Sequence, residues 1–185
     1  MASEVTVANI ALSLLGEPQI VSLTEDADRA RKINTRFEDV RDATLRAHPW
    51  DCAEKRVQLA NDGTTPVFGF TFSFDLPSDF IVARRLEVHT VKWKIEGKKL
   101  LAEDSPAKML YTFRVTDPNI WDSLFIQVFG ARLAYEVCEA ITKDTDLKSR
   151  LWREYLEKKK EAISVDGQQA TPEFVDENPF ITERL

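Results

Sequence analysis

The side chains that could perform acid–base, nucleophilic or metal chemistry are few and scattered. His48 and His89 are the only imidazoles and Cys52 and Cys138 the only thiols. His48 precedes Pro49 at the end of a helical pattern, and His89 falls within a strand pattern, so a structural or surface role is the simpler reading for each. The neighbouring carboxylates Asp26 and Asp28, or Glu103 and Asp104, could be drawn as the acid–base couple of a glycosidase. Neither pair sits in an apolar stretch that would raise one pKa, so solvated charge is the simpler reading there too. The sequence lacks the glycine-rich phosphate loops, the nucleophile elbow, and the H-E-x-x-H and C-x-x-C spacings, and six glycines leave little material for such loops. The aromatic alternation Phe68, Phe70, Phe72 and Phe74 could stack bases, yet no basic residues interleave with it, and a core face explains it with less. The expectation is a chain with no catalytic residues, no metal site and no cofactor.

Composition narrows the function classes further. With 185 residues, 43% apolar and 30% charged, the chain can bury a substantial core and is not globally disordered. A formal charge of −6 argues against a dedicated binder of duplex phosphates, although DNA could still slide past such a surface. Two widely separated cysteines read as free thiols of a reducing compartment rather than a disulfide framework. The N-terminal stretch carries Glu4 and amphipathic spacing, which does not suggest a signal peptide, and no apolar run is long enough for a membrane span.

The elements that must position any working surface centre on Asp117 to Lys143, which reads as one long buried helix capped by Asp117 with Pro118 at its first position. Ile120, Leu124, Ala131, Ala134, Cys138 and Ile141 recur at helical spacing, with Trp121, Phe125, Val128, Phe129 and Leu133 broadening the stripe. Gly130, Ala131, Ala134 and Ala140 would admit neighbouring helices closely. Upstream, Ser3 caps a short helix with Val7, Ile10, Ala11, Leu14 and Leu15 inward, closed by Gly16. Thr24 or Asp26 opens a second helix to about His48, with Ala30, Ile33, Phe37, Val40 and Thr44 inward and Arg41 among its solvated charges. Pro49 redirects the chain and Trp50 tucks back as an anchor.

After the turn NDGTTP at 61–66, the period changes to two. Residues 67–76 predict a strand with an aromatic face. A second strand runs from about Ile81 to Val91 with Val82, Leu86, Val88 and Thr90 on one face. Trp93 to Leu101 predict a hairpin turning at Glu96–Gly97–Lys98, and Met109, Tyr111, Phe113 and Val115 a last strand. The break at Lys143–Asp144–Thr145–Asp146 leads to a fourth helix over about 146–163. Leu147, Leu151, Trp152, Tyr155 and Leu156 give it an inward stripe, and Lys158, Lys159 and Lys160 suit the negative end of its dipole. The fold expected is α+β: an antiparallel-type bundle of about four helices with a small inserted antiparallel sheet and an extended C-terminal arm. Its parts are 1–66 and 117–163 for the helical body, 67–116 for the sheet lobe and 164–185 for the arm. The arm is turn-rich and acidic, yet holds Phe174, Val175, Phe180, Ile181 and Leu185, residues suited to lie in grooves of another subunit.

The order of these parts, with the segments LLGEP, RDATLRAHPWDCAEKRVQLA, DLPSDF and YTFRVTDPNIWDSLFIQVFGARLAYEVCEAIT, resembles the head-to-tail adaptor proteins of short-tailed phages, the tail tubular protein A group. The resemblance spans about residues 3–163. It implies a structural protein of the virion: a homo-oligomeric ring, a dodecamer, that docks beneath the portal protein, meets a downstream tail protein and lines part of the channel through which genomic DNA passes. The arms would engage the portal, and assembly would take place in the host cytoplasm with no membrane involved. Two other readings stay open at this point: a tail-associated hydrolase of the cell envelope, and a tail-completion or terminator protein of another connector layer.

Overall fold

The computed structural model describes residues 3–168 and is α+β, with four helices and six strands in two three-stranded antiparallel sheets. Helix α1, Glu4–Leu15, starts where the Ser3 hydroxyl accepts the Thr6 N–H at 3.1 Å and stops at Gly16, whose φ of +73° is a left-handed conformation that glycine adopts freely. Helix α2, Asp28–Arg46, has no side-chain cap, against the expectation for Thr24 or Asp26. Asp26 pairs instead with Arg31 at 2.5 Å, and the Thr24 hydroxyl with that of Ser22. Ala30, Ile33, Phe37, Val40 and Thr44 are buried as their spacing requires. Arg41, expected among the solvated charges, is only 3% exposed, with its Nε 3.0 Å from Asp42. Trp50 does fold back, donating its indole N–H to the Thr44 carbonyl at 2.9 Å.

The expected helix from Asp117 is in fact two pieces. Asp117 caps only a single 3-10 turn, Pro118–Ile120, and Trp121 then leaves helical geometry, with its indole N–H on the Val115 carbonyl. Asp122 restarts the chain by accepting the Leu124 N–H at 2.8 Å, giving α3, Ser123–Thr142. Ile120 is consequently exposed rather than part of the buried stripe. Helix α3 packs against α1, α2 and the last helix. At Gly130 a β-carbon would lie 2.6 Å from Ile10 Cγ2 and 3.0 Å from Ile10 Cβ, so the absence of a side chain sets how closely α1 and α3 approach. Ala131 and Ala134 are buried beside it, whereas Ala140 is exposed near the helix end.

Lys143, at φ +57°, closes α3, and Asp144 caps α4, Thr145–Asp166, by accepting the N–H groups of Asp146 and Leu147. Leu151, Tyr155 and Ala162 face inward; Trp152 and Leu156, expected with them, do not. Because α4 continues to Asp166, Lys158–Lys160 lie more than a turn before its end and are not its terminal charges.

One sheet was expected from residues 67–116; there are two. Strand β1, Glu54–Leu59, lies in the stretch assigned to the helical body and pairs with β6, Ala107–Phe113, which also pairs with β3, Phe80–Leu86. The second sheet joins β2, Phe72–Asp75, and β4, Trp93–Glu96, to β5, Lys99–Ala102. The predicted strand from Val67 shortens to β2 because Gly69, at φ +83°, breaks the extended run and Pro66 has no N–H to donate. Strand β3 ends at Leu86, short of Val88 and Thr90, and register shifts after Phe80 and Ala83 break its alternation. Ile81 can thereby join the helical core while Leu86 joins a second core, to which both sheets contribute Leu59, Phe74, Leu100, Met109 and Tyr111.

Candidate interaction surfaces

Most ionisable groups with shifted titration sit in structural ties. Tyr111 donates its phenolic hydrogen to Asp79 at 2.9 Å; burial first, then that hydrogen bond and the Asp79 charge, push the phenol up. Burial would raise Asp79 as well, but hydrogen bonds from the Lys55 ammonium and Tyr111 leave it below the usual carboxylate range. Burial raises Asp51, with the Asp166 charge adding to it, and burial also raises Glu54 and the Cys52 thiol. Cys52 and Cys138 are free thiols. His48 Nε2 lies 2.9 Å from Asp166 Oδ2, joining the ends of α2 and α4, while His89 is exposed. Asp28 is held low by Lys32, and Glu103 and Asp104 are exposed, so neither carboxylate pair forms a pocketed couple. Among the described residues, no group of three His, Cys, Asp or Glu could hold a metal ion, and no helix is long and apolar enough to cross a membrane.

Asp62 gives a pH prediction. It accepts hydrogen bonds from Lys99, the Thr64 N–H and the Ser73 hydroxyl, and its pKa falls from the ordinary 3.8 to about 2, with Lys99 the largest cause. A folded-state pKa below the unfolded value adds stability that is present above the unfolded pKa and is lost as pH falls through the folded one. The wild-type urea midpoint should therefore decline from about pH 4 toward about pH 2 more steeply than that of Asp62→Asn. Parallel declines would show that the Asp62 ties are not formed.

Among the exposed apolar side chains of the described residues, two pairs differ in shape and place. In the loop before β2, Val67 and Phe68 are 97% and 86% exposed. On the outer face of α4, Trp152 and Leu156, one turn apart, are 38% and 44% exposed, with the Trp152 ring tilted against that of Tyr135, centres 4.8 Å apart. A third feature is a groove of about 840 Å³ between the two sheets, with Leu76, Phe80 and Trp93 in its wall and Arg46, Lys94, Lys98 and Arg114 around it.

The residues singled out from sequence as partner-binding, Phe174, Val175, Phe180, Ile181 and Leu185, lie outside the described residues. Sequence reasoning placed Phe68 on a core face and Trp152 and Leu156 on an inward stripe. The flanking Pro66 and Gly69, and the one-residue offset of 152 and 156 from Leu151 and Tyr155, were the available signals. It missed the groove because the basic residues come from three segments far apart in sequence. No family model matches the sequence, and no curated protein matches it significantly.

Proposed function

We propose that the chain is a structural adaptor of a phage virion, whose copies form a ring joining portal to tail around the DNA channel. The observation that carries the reading is the pair of unlike exposed apolar patches, Val67–Phe68 on a loop and Trp152–Leu156 on a helix. A closed ring other than a two-fold dimer is built by heterologous contacts, in which one patch meets a different one on the next copy. Neighbouring exposed apolar side chains of this kind offer surface that a partner can cover. The segments HPW, DLPSDF and TDPNIWD add the family resemblance, and the net negative charge suits a channel through which DNA passes without adhering. The arm expected from residue 164 begins only beyond α4, which runs to Asp166, and would join the portal.

Electron microscopy of the full chain mixed with its portal tests this. Rings on the portal are expected from the wild type. Phe68→Asp and Leu156→Asp, both at exposed positions, should stay folded by circular dichroism and fail to form rings. A wild-type chain that remains monomeric with the portal would overturn the adaptor reading.

A further inference from the structure

The groove between the sheets has an unusual lining: four consecutive residues of β3, Phe80 to Ala83, and three of β4, Trp93, Lys94 and Ile95. Successive side chains of a strand point to opposite faces, so a cleft lined by consecutive residues meets the strand's edge rather than one face. The strand orders, β1-β6-β3 and β2-β5-β4, make both β3 and β4 edge strands. Edges with unpaired backbone groups are templates for an added strand. On the β3 side the Ile81 carbonyl accepts from the Arg46 guanidinium at 2.9 Å.

The charge around the groove narrows the occupant. Arg46, Lys94, Lys98 and Arg114 line it, and no carboxylate does among the described residues. Arg114 and Lys94 are matched from outside the groove by Asp42 and Glu96, while no carboxylate among the described residues pairs with Lys98. An extended segment with acidic and apolar residues side by side fits both the walls and the rim. Residues 173–181, EFVDENPFI, have that chemistry: Glu173, Asp176 and Glu177 interspersed with Phe174, Val175, Phe180 and Ile181. Pro179 is compatible with an edge position, where a backbone N–H can be dispensed with.

The tether also points there. The last residue of α4, Asp166, bonds to His48, two residues beyond Arg46, so the chain leaves the helical body at the corner from which Arg46 reaches the groove. Residues 169–185 span up to about 55 Å when extended. A short tether places its segment at an effective concentration in the millimolar range, which favours the groove of the same copy over that of another.

We propose that the groove between the edges of β3 and β4 holds the chain's own acidic C-terminal segment, residues 173–181, as an added strand. The segment is then stored on the subunit that carries it until a partner with higher affinity takes it, and the groove is vacated in the same step. This goes beyond the adaptor reading and does not need it.

The test uses the full chain alone, with photoreactive benzoylphenylalanine in place of Phe180. Irradiation is expected to join position 180 to the peptide 76–83 or 93–98 within one chain, with a yield unchanged across a dilution series. Lys94→Glu with Lys98→Glu, both on exposed positions, should lower that yield about tenfold, and Glu173→Lys with Glu177→Lys in the same chain should restore it. Crosslinks between copies, crosslinks to any other surface, or a yield indifferent to the charge reversals would each overturn the proposal. Because no portal is present, failure here leaves ring formation untouched, and failure of ring formation leaves this result untouched.

Discussion

Phe129→Ala is expected to lower the free energy of unfolding by about 3–5 kcal/mol, a large share of the roughly 5–15 kcal/mol that holds a domain of this kind together. Phe129 is fully buried in the middle of α3, its ring centre 5.0 Å from Phe37 of α2, 5.8 Å from Trp121 and 6.0 Å from Phe125. Truncation removes apolar area and the edge and tilted ring contacts together, and leaves a cavity that three rigid aromatic neighbours cannot collapse into. Phe129→Leu keeps most of the volume and should cost less, about 1–2 kcal/mol. Urea unfolding checks the pair. The alanine variant should show a lower midpoint with an unchanged slope. A loss under about 1 kcal/mol would mean that this cluster is not the centre of the helical core.

That cluster was legible in the sequence because a helix encodes its buried face locally. Val128, Phe129, Leu133 and Cys138 sit at spacings that one face of one helix requires, and all are buried. Asp117 reads as the cap because an Asx–Pro start is a strong local signal; Asp122 gives a second start five residues on, and only the burial of Trp121, which is tertiary, decides between them. The strands fared worse for the same reason. Gly97 and the alternation around it marked the β4–β5 hairpin, since the turn joins neighbours in sequence. Strand β1 gave no such mark: its partner β6 is about fifty residues away, and its residues Glu54 to Leu59 are mostly polar and outward. The division into two sheets depends on which strand β6 and β5 each choose, a non-local pairing that alternation does not record. The candidate surfaces follow the same rule. Phe68 and Trp152 have the composition of core residues, and only their neighbours in space leave them outside.

The second large effect should come from Arg84, where the sheet lobe is fastened to the helices. Its Nε donates to the Thr112 hydroxyl at 2.7 Å, and its Nη2 to the His48 carbonyl at 2.7 Å, with the Leu45 and Arg46 carbonyls at 3.4 Å. Carbonyls at the end of α2 have no partner inside the helix and lie at the negative end of its dipole, so one guanidinium from β3 caps α2 and neutralises it from the other layer. Burial lowers the Arg84 pKa, yet arginine stays charged at any pH at which the fold exists. Arg84→Ala strands the fully buried Thr112 hydroxyl and the capped carbonyls at once, and should cost about 2–4 kcal/mol. Arg84→Lys should recover only a minor part, because a single ammonium cannot span β6 and the helix end together. Adding Thr112→Val to Arg84→Ala should cost less than the sum of the two single changes, since the hydroxyl is already unsatisfied when Arg84 is gone. The loss should also be localised: with Trp93 reporting on the lobe and Trp121 on the helical body in single-tryptophan chains, the lobe signal of Arg84→Ala should fall at lower urea than the body signal. Coincident transitions in that variant would show that the two cores, and not this guanidinium, carry the coupling between lobe and body.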